Sequence, residues 1–558
     1  MKVTIKDKSI NEKINLTSSK LEKEEIVERI WQKDYTVWGN KPGEISNRLG
    51  WLDSVETTSK AISEIEDFVA SVKEEGFTNV LLMGMGGSSL APEVFRLTFG
   101  VKDGFLDLAV LDSTHPDAVK EFDEKLHIEK TLFIVSTKSG GTIETISFMK
   151  YFYTKAVNDL GKEKAGNNFI AITDPGSGLE GMAKDLKFRK IFLNDPDIGG
   201  RFSALSLFGM VPAALVGIDL NKFIDRAGSI VTECKKDKGN SAAALGVILG
   251  TLAKEGIDKL TLISSPQIKY FGAWVEQLIA ESTGKNGKGI LPVDLEEIQS
   301  PENYSNDRLF VHIKLKDDST YIEDVDNLKV SGFPVIEIEL NDIYNLAKEF
   351  FRWEFATAVI GSVIGIQPFD QPDVESAKVQ ARKMMKEFTE KGKLPELASA
   401  FKEKGISVSG KIKANNLKDA LDTFLSIIEE DKSYVAIQAY LKPDDETTDQ
   451  LQILRTTVQT KYKVATSVGY GPRFLHSTGQ LHKGDIGNGL FIQIIDNPIN
   501  DLPIPTEPGS NENEISFSVL IKAQALGDRE ALLSNGRNVI TFNLGSDTNH
   551  ISSIVDSL

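Results

Sequence analysis

From residue 61 onward, apolar runs of strand length alternate with stretches of helical period: NVLLMGMG, DLAVLDS, TLFIVSTK and FIAITD. Continuous rather than alternating apolar runs belong to strands buried on both faces, so the pattern predicts a parallel sheet with helices on each side. The same grammar resumes after Lys235 with LTLISS, LFVHIKL and VIEIEL, interleaved with helical candidates at 242–255 and 273–282. The predicted architecture is α/β, with two doubly wound parallel-sheet domains, each a three-layer αβα unit, over 61–232 and 233–392. Residues 1–60 read as an N-terminal helical segment, because Val27, Ile30, Trp31, Trp38 and Trp51 supply an apolar face to pack on a larger body. Beyond Lys393 a charged stretch leads into LKDALDTFLSII and YVAIQAYL, and 393–558 reads as a C-terminal α/β extension. Within it, 497–513 is rich in Pro, Asn, Asp and Glu and predicts an exposed loop.

A chain of 558 residues exceeds what one core organises, in keeping with several packed domains. The formal net charge of −17 disfavours nucleic-acid backbones as partners, whose binding rests on basic patches. It leaves room for a small phosphorylated ligand, which needs only a local nest of N–H groups and a cation or two. No apolar run approaches the ~20 residues that cross a bilayer, so no membrane role is expected. The first residues, MKVTIKDKSINEKINL, lack the apolar core of a signal peptide, and the single cysteine, Cys234, allows no internal disulfide. A cytoplasmic location is the expectation.

Two glycine-marked joins follow predicted strands, GMGGSS with Gly87 and Ser88, and STKSGG at 136–141. In open parallel sheets ligands bind beyond the carboxyl ends of the strands, where these joins lie. Taken alone, GMGGSS reads equally as a tight turn with a serine cap, and it lacks the GxGxxG spacing of a dinucleotide site. The second join is more informative. Ser136, Thr137, Lys138, Ser139 and Thr142 place four hydroxyls and a cation before a helix N-terminus, which suits the several acceptor oxygens of a phosphate monoester. A polar capping loop is the plainer alternative; a P-loop is not, since no GxxxxGK with a following Ser or Thr occurs there. Arg201 precedes an apolar helix in GGRFSALSLFGMVPAALVG and must find an anion, which an ordinary salt bridge would also supply. Gln277 and Glu281 are four apart and share one face of a helix that ends at Thr283 and Gly284.

GMGGSSLAP, TKSGGTIET, GGRFS, QLIAESTGK and IQPFDQPDVESAK occur in the order, and at spacings similar to those, found in glucose-6-phosphate isomerases. The ordered set covers about residues 60 to 390 and resembles a pair of sugar-isomerase (SIS) domains. The ending, with GYGPRFLHSTGQLHKG and KAQALGD, resembles the isomerase half of fused transaldolase–glucose-6-phosphate isomerases. The resemblance implies that Gly87, Ser88, Thr137, Ser139 and Thr142 hold the phosphate with Lys138 beside them. It implies further that Glu281 is the acid/base, that Arg201 steadies charge on the reacting oxygens, and that Gln277, Gln371 and Lys378 lie near the substrate. Relatives carry a ring-opening histidine in a QHxFxQLxHQG-like segment between that glutamate and that lysine. Here the histidine between Glu281 and Lys378 is His312, inside a predicted buried strand, whereas His476 lies in the extension within LHSTGQLHKG. The extension is therefore expected to fold back and supply His476.

The implied reaction opens the sugar ring, moves a proton between C1 and C2 through an enediol, and closes the ring, with no metal and no cofactor. Two alternatives remain: an isomerase that also takes mannose 6-phosphate, and a non-catalytic SIS module that binds phosphosugars. The sequence does not give the oligomeric state; members of the family it resembles are often dimers, which makes a homodimer one possibility.

Overall fold

The computed structural model describes residues 1–558, the side chain of Ala377 excepted. Its first sheet runs Asp107–Leu111, Asn79–Gly84, Thr131–Ser136, Phe169–Thr173, Lys190–Leu193, all parallel. Numbered along the chain this is the order 2-1-3-4-5, whose switch point falls between Asn79–Gly84 and Thr131–Ser136. Those two central strands are buried almost throughout, as their apolar runs require. Their carboxyl ends open into the two glycine-marked joins.

The second sheet runs Val335–Leu340, Arg308–Leu315, Lys259–Ser264, Leu291–Val293 in parallel, again with the first and third strands adjacent. Its edge is extended by a strand that the sequence did not announce. Lys2–Thr4 pairs antiparallel with Val335–Leu340, so the N-terminal segment is not purely helical. The rest of that segment packs as its apolar residues predict: the Trp31 and Trp51 rings lie 6.1 and 5.6 Å from that of Phe351, on helix Leu346–Ile364. One apolar core runs continuously through both sheets and their helices.

A third sheet carries Ala465–Tyr470, Tyr434–Tyr440, Gly489–Ile495 and Asn538–Asn543 in parallel, with Ile406–Gly410 and Phe401–Glu403 added antiparallel at one edge. It has its own core. It also packs against the rest of the molecule through helix Phe517–Ser534, which lies along helix Val374–Lys391. Residues 497–513 are only partly the loop predicted. Pro503–Pro505 pairs with Asn513–Ser516 as a hairpin fixed to helix Ile143–Leu160. There Lys150 Nζ donates to the Thr506 carbonyl, and Gly509 N donates to Thr154 Oγ1 at 2.9 Å. Ile504 and Ile515 bury their side chains against this helix region, and that apolar contact turns a polar stretch into ordered structure. Among the described residues no helix is long and apolar enough to cross a membrane.

Candidate functional site

The switch point of the first sheet is where the candidate residues gather. After Asn79–Gly84 the chain makes a single turn, Gly86–Ser88, with Gly86 at φ +54°. A Cβ at Gly86 would stand 2.8 Å from Gln277 Nε2 and 3.0 Å from His476 Cβ, and one at Gly87 2.0 Å from the Gly200 carbonyl oxygen. These glycines let the first join, helix Phe271–Thr283 and the third unit meet at one point. Ser88 is buried, its carbonyl accepting from Ser136 Oγ at 3.2 Å, which ties the two joins together.

In the second join Thr137 Oγ1 and Thr142 Oγ1 lie 2.9 Å apart, and no side chain caps helix Ile143–Leu160. Ser139, Thr142 and the first turn of this helix line a cleft of about 910 Å³, so an anion bound beside them would meet hydroxyl donors and the positive end of the helix. Lys138 is placed differently. Its ammonium is paired with Asp174 and donates to the Pro196 carbonyl at 2.7 Å, so its charge is already met by a carboxylate.

Arg201 is 3% exposed. Its Nε donates to Ser282 Oγ at 2.8 Å, Nη1 to Gln371 Oε1 at 2.9 Å and Nη2 to the carbonyls of Pro368 and Asp370 at 2.7 and 3.0 Å. Nη1 also faces Glu281 Oε1 at 3.4 Å. Burial lowers the guanidinium from its ordinary value, and Glu281 opposes that shift. Gln277, one turn before Glu281, donates to its Oε2 at 3.2 Å and to the His476 carbonyl at 2.7 Å. Lys285 reaches Asp370 Oδ1 at 2.8 Å; burial, reinforced by Arg201, pushes its ammonium down to about 8.

His476 ends the turn Arg473–His476 of the third unit and lines the cleft with Lys378, which projects from helix Val374–Lys391. Its Nε2 stands 3.1 Å from Glu144 Oε1. Burial raises the Glu144 carboxyl, but the imidazole of His476 and the charge of Lys378 outweigh that and leave it below its ordinary value. An ionised Glu144 accepts from Nε2–H, which leaves Nδ1 to exchange a proton with a ligand. Glu144 was not singled out from the sequence, although it stands inside the quoted TKSGGTIET. His312 is elsewhere, at 2% exposure on strand Arg308–Leu315, and burial pushes its imidazole down to about 4.

The segment around His476 is held from several sides. Arg473 Nε faces Asp112 Oδ2 at 3.3 Å, and Ser477 Oγ donates to Glu276 Oε1 at 3.4 Å. Gln480 Nε2 donates to the Gly284 carbonyl and to Asp373 Oδ2 at 2.9 and 2.6 Å. Burial, with Asp294 adding to it, pushes Glu276 up to about 8. That value exceeds the unfolded one, so the folded chain holds a proton that the unfolded chain releases, and the resulting penalty grows from about pH 4.5 to about 8. Glu276→Gln is therefore expected to leave stability near that of the parent at pH 4 and to raise it above pH 8 by on the order of 1–3 kcal/mol. Urea unfolding at both pH values measures this; an equal change at both would mean the carboxyl is not held neutral.

Comparison with known proteins bears on the same elements. Residues 37–290 match the family described as phosphoglucose isomerase. The chain is 28% identical over 384 residues to the probable glucose-6-phosphate isomerase of Methanococcus maripaludis, covering 61% of this chain and 84% of that protein. It is 26% identical over 379 residues to the glucose-6-phosphate isomerase of Campylobacter jejuni, covering 60% of this chain and 91% of that one. Among solved structures, a glucose-6-phosphate isomerase from Chlamydia trachomatis superposes with a TM-score of 0.58 at 18% identity, over 68% of this chain and 86% of that one. A hypothetical protein from Thermus thermophilus gives 0.59 at 22% identity, over 68% and 99%. Those two structures establish the shared fold. The match over 37–290 and these relatives make the chain similar to glucose-6-phosphate isomerases.

Proposed function

We propose that this chain interconverts D-glucose 6-phosphate and D-fructose 6-phosphate. The observation that carries the reading is the meeting of two proton-transfer units at one switch point. Glu281 is set between Arg201 and Gln277, and a His476–Glu144 pair stands beside it, bridged by Gln277. In this reading the phosphate rests on Ser88, Thr137, Ser139, Thr142 and the open N-terminus of helix Ile143–Leu160. His476 moves a proton between the ring oxygen and the anomeric hydroxyl, with Lys378 lining the same cleft. Glu281 then carries the proton between C2 and C1 of the open chain. Arg201, which cannot lose its own proton, stabilises the enediolate oxygens, while Gln277 and Gln371 orient the hydroxyls. A module that only binds phosphosugars would have no use for a buried carboxylate aimed at a histidine.

A coupled assay that supplies fructose 6-phosphate and follows glucose 6-phosphate tests the reading, and mannose 6-phosphate in parallel tests whether the C2 epimer is also taken. Absence of turnover on fructose 6-phosphate would remove the proposal. Within it, Thr142→Val and Ser139→Ala are expected to raise KM several-fold each with kcat nearly kept, because they remove contacts made equally in ground and transition states. Unchanged KM in both variants would place the phosphate elsewhere.

A further inference from the structure

The carboxylate behind His476 has a second donor. Gln524, 3% exposed on helix Phe517–Ser534, donates from Nε2 to Glu144 Oε1 at 2.8 Å, the oxygen that faces the imidazole. Its own Oε1 accepts from Thr114 Oγ1 at 2.7 Å, and Thr114 is fully buried. A flipped amide would turn its oxygen onto an anion, so the charge on Glu144 and the hydroxyl of Thr114 both select one orientation. A donor held against an anion by a buried partner strengthens the ionised form and fixes its direction. The other charged or titratable groups facing Glu144 are His476, Lys378 from helix Val374–Lys391, and the Tyr440 phenol from strand Tyr434–Tyr440.

We infer that Gln524, oriented by Thr114, is a positioning residue that acts through Glu144 to hold His476 in the tautomer and pose needed for ring opening. The inference rests on the function proposed above for the kinetic part of its test, and on geometry alone for the rest. Gln524 comes from the third unit, as His476 does, while Thr114 and Glu144 come from the first. The third unit thus brings both the proton carrier and a support for the carboxylate that tunes it.

Removing the donor leaves Glu144 more basic, so the Glu144–His476 pair keeps its proton to higher pH. Full-length protein with labelled histidines, in the absence of substrate, shows this directly: the imidazole resonance lost in His476→Gln is followed against pH. In Gln524→Leu the midpoint of that resonance should rise by about one pH unit, the scale of one hydrogen bond to a charged group. In Thr114→Val, where the donor remains but is no longer oriented, it should rise by less. Turnover of cyclic glucose 6-phosphate should fall at least ~10-fold in Gln524→Leu, with C2 exchange of an open-chain analogue retained. Midpoints that stay within about 0.2 pH unit of the parent in both variants overturn the inference, as does equal loss of turnover and exchange. An inactive parent protein would instead sink the proposed function, while the titration still decides the positioning role. Should Gln524→Leu fail to fold, Thr114→Val decides it.

Discussion

Glu281→Gln is expected to keep the fold and the affinity for fructose 6-phosphate while losing at least ~10²-fold in kcat, the scale of a general acid/base contribution. The amide keeps the size of the side chain and can still meet Gln277 and Arg201, but it cannot take a proton from carbon. It also leaves the Arg201 guanidinium buried without its carboxylate, and breaking such a pair costs up to ~3–5 kcal/mol. The contacts from Arg201 to Ser282, Gln371 and two carbonyls remain, so the loss should sit at the low end of that range. Calorimetric binding, thermal unfolding and solvent-hydrogen exchange at C2, measured on one preparation, separate these effects. Exchange should fall in step with turnover. Turnover like that of the parent would remove Glu281 from the role, and lost binding with lost fold would make the residue structural.

Much of the molecule could be read in advance because parallel strands buried on both faces leave continuous apolar runs. NVLLMG and TLFIVS became the central pair of the first sheet, and the glycine-marked joins after them fell at its switch point. The pairing of Glu281 with Arg201 was legible only through ordered motifs, since the two lie 80 positions apart, on helix Phe271–Thr283 and turn Gly200–Phe202. Other features left no local signal. Lys138 looks like a phosphate cation until Asp174 arrives from the next strand end and takes its charge. Lys2–Thr4 is too short and polar to announce a strand, and pairs only because an edge is open beside it. The hairpin at Pro503–Pro505 and Asn513–Ser516 reads as a loop by composition, and order comes from two isoleucines and a helix far along the chain. Gln524 is the extreme case: its partners are 410 and 380 positions away, so nothing near it in the sequence points to them.

His476→Ala should separate the two chemical steps. The imidazole lies on the third unit and Glu281 on helix Phe271–Thr283, joined through Gln277, whose amide meets the Glu281 carboxylate and the His476 carbonyl. Because Gln277 touches the backbone of His476 and not its ring, alanine keeps that bridge and leaves the surroundings of Glu281 intact. Turnover of cyclic glucose 6-phosphate is then expected to fall ~10²-fold or more, while exchange of the C2 proton in an open-chain analogue stays within a few-fold of the parent. Glu144→Gln should move both readouts in the same direction by less, since a neutral amide still holds the ring but no longer favours its charged form. A chain cut near Lys393 cannot replace these variants. Helix Val374–Lys391, which carries Lys378, packs along helix Phe517–Ser534, and its loss would disturb the lysine together with the histidine. Equal effects of His476→Ala on both steps, or on neither, would reduce His476 to a structural contact of Glu144 and leave ring opening to Lys378.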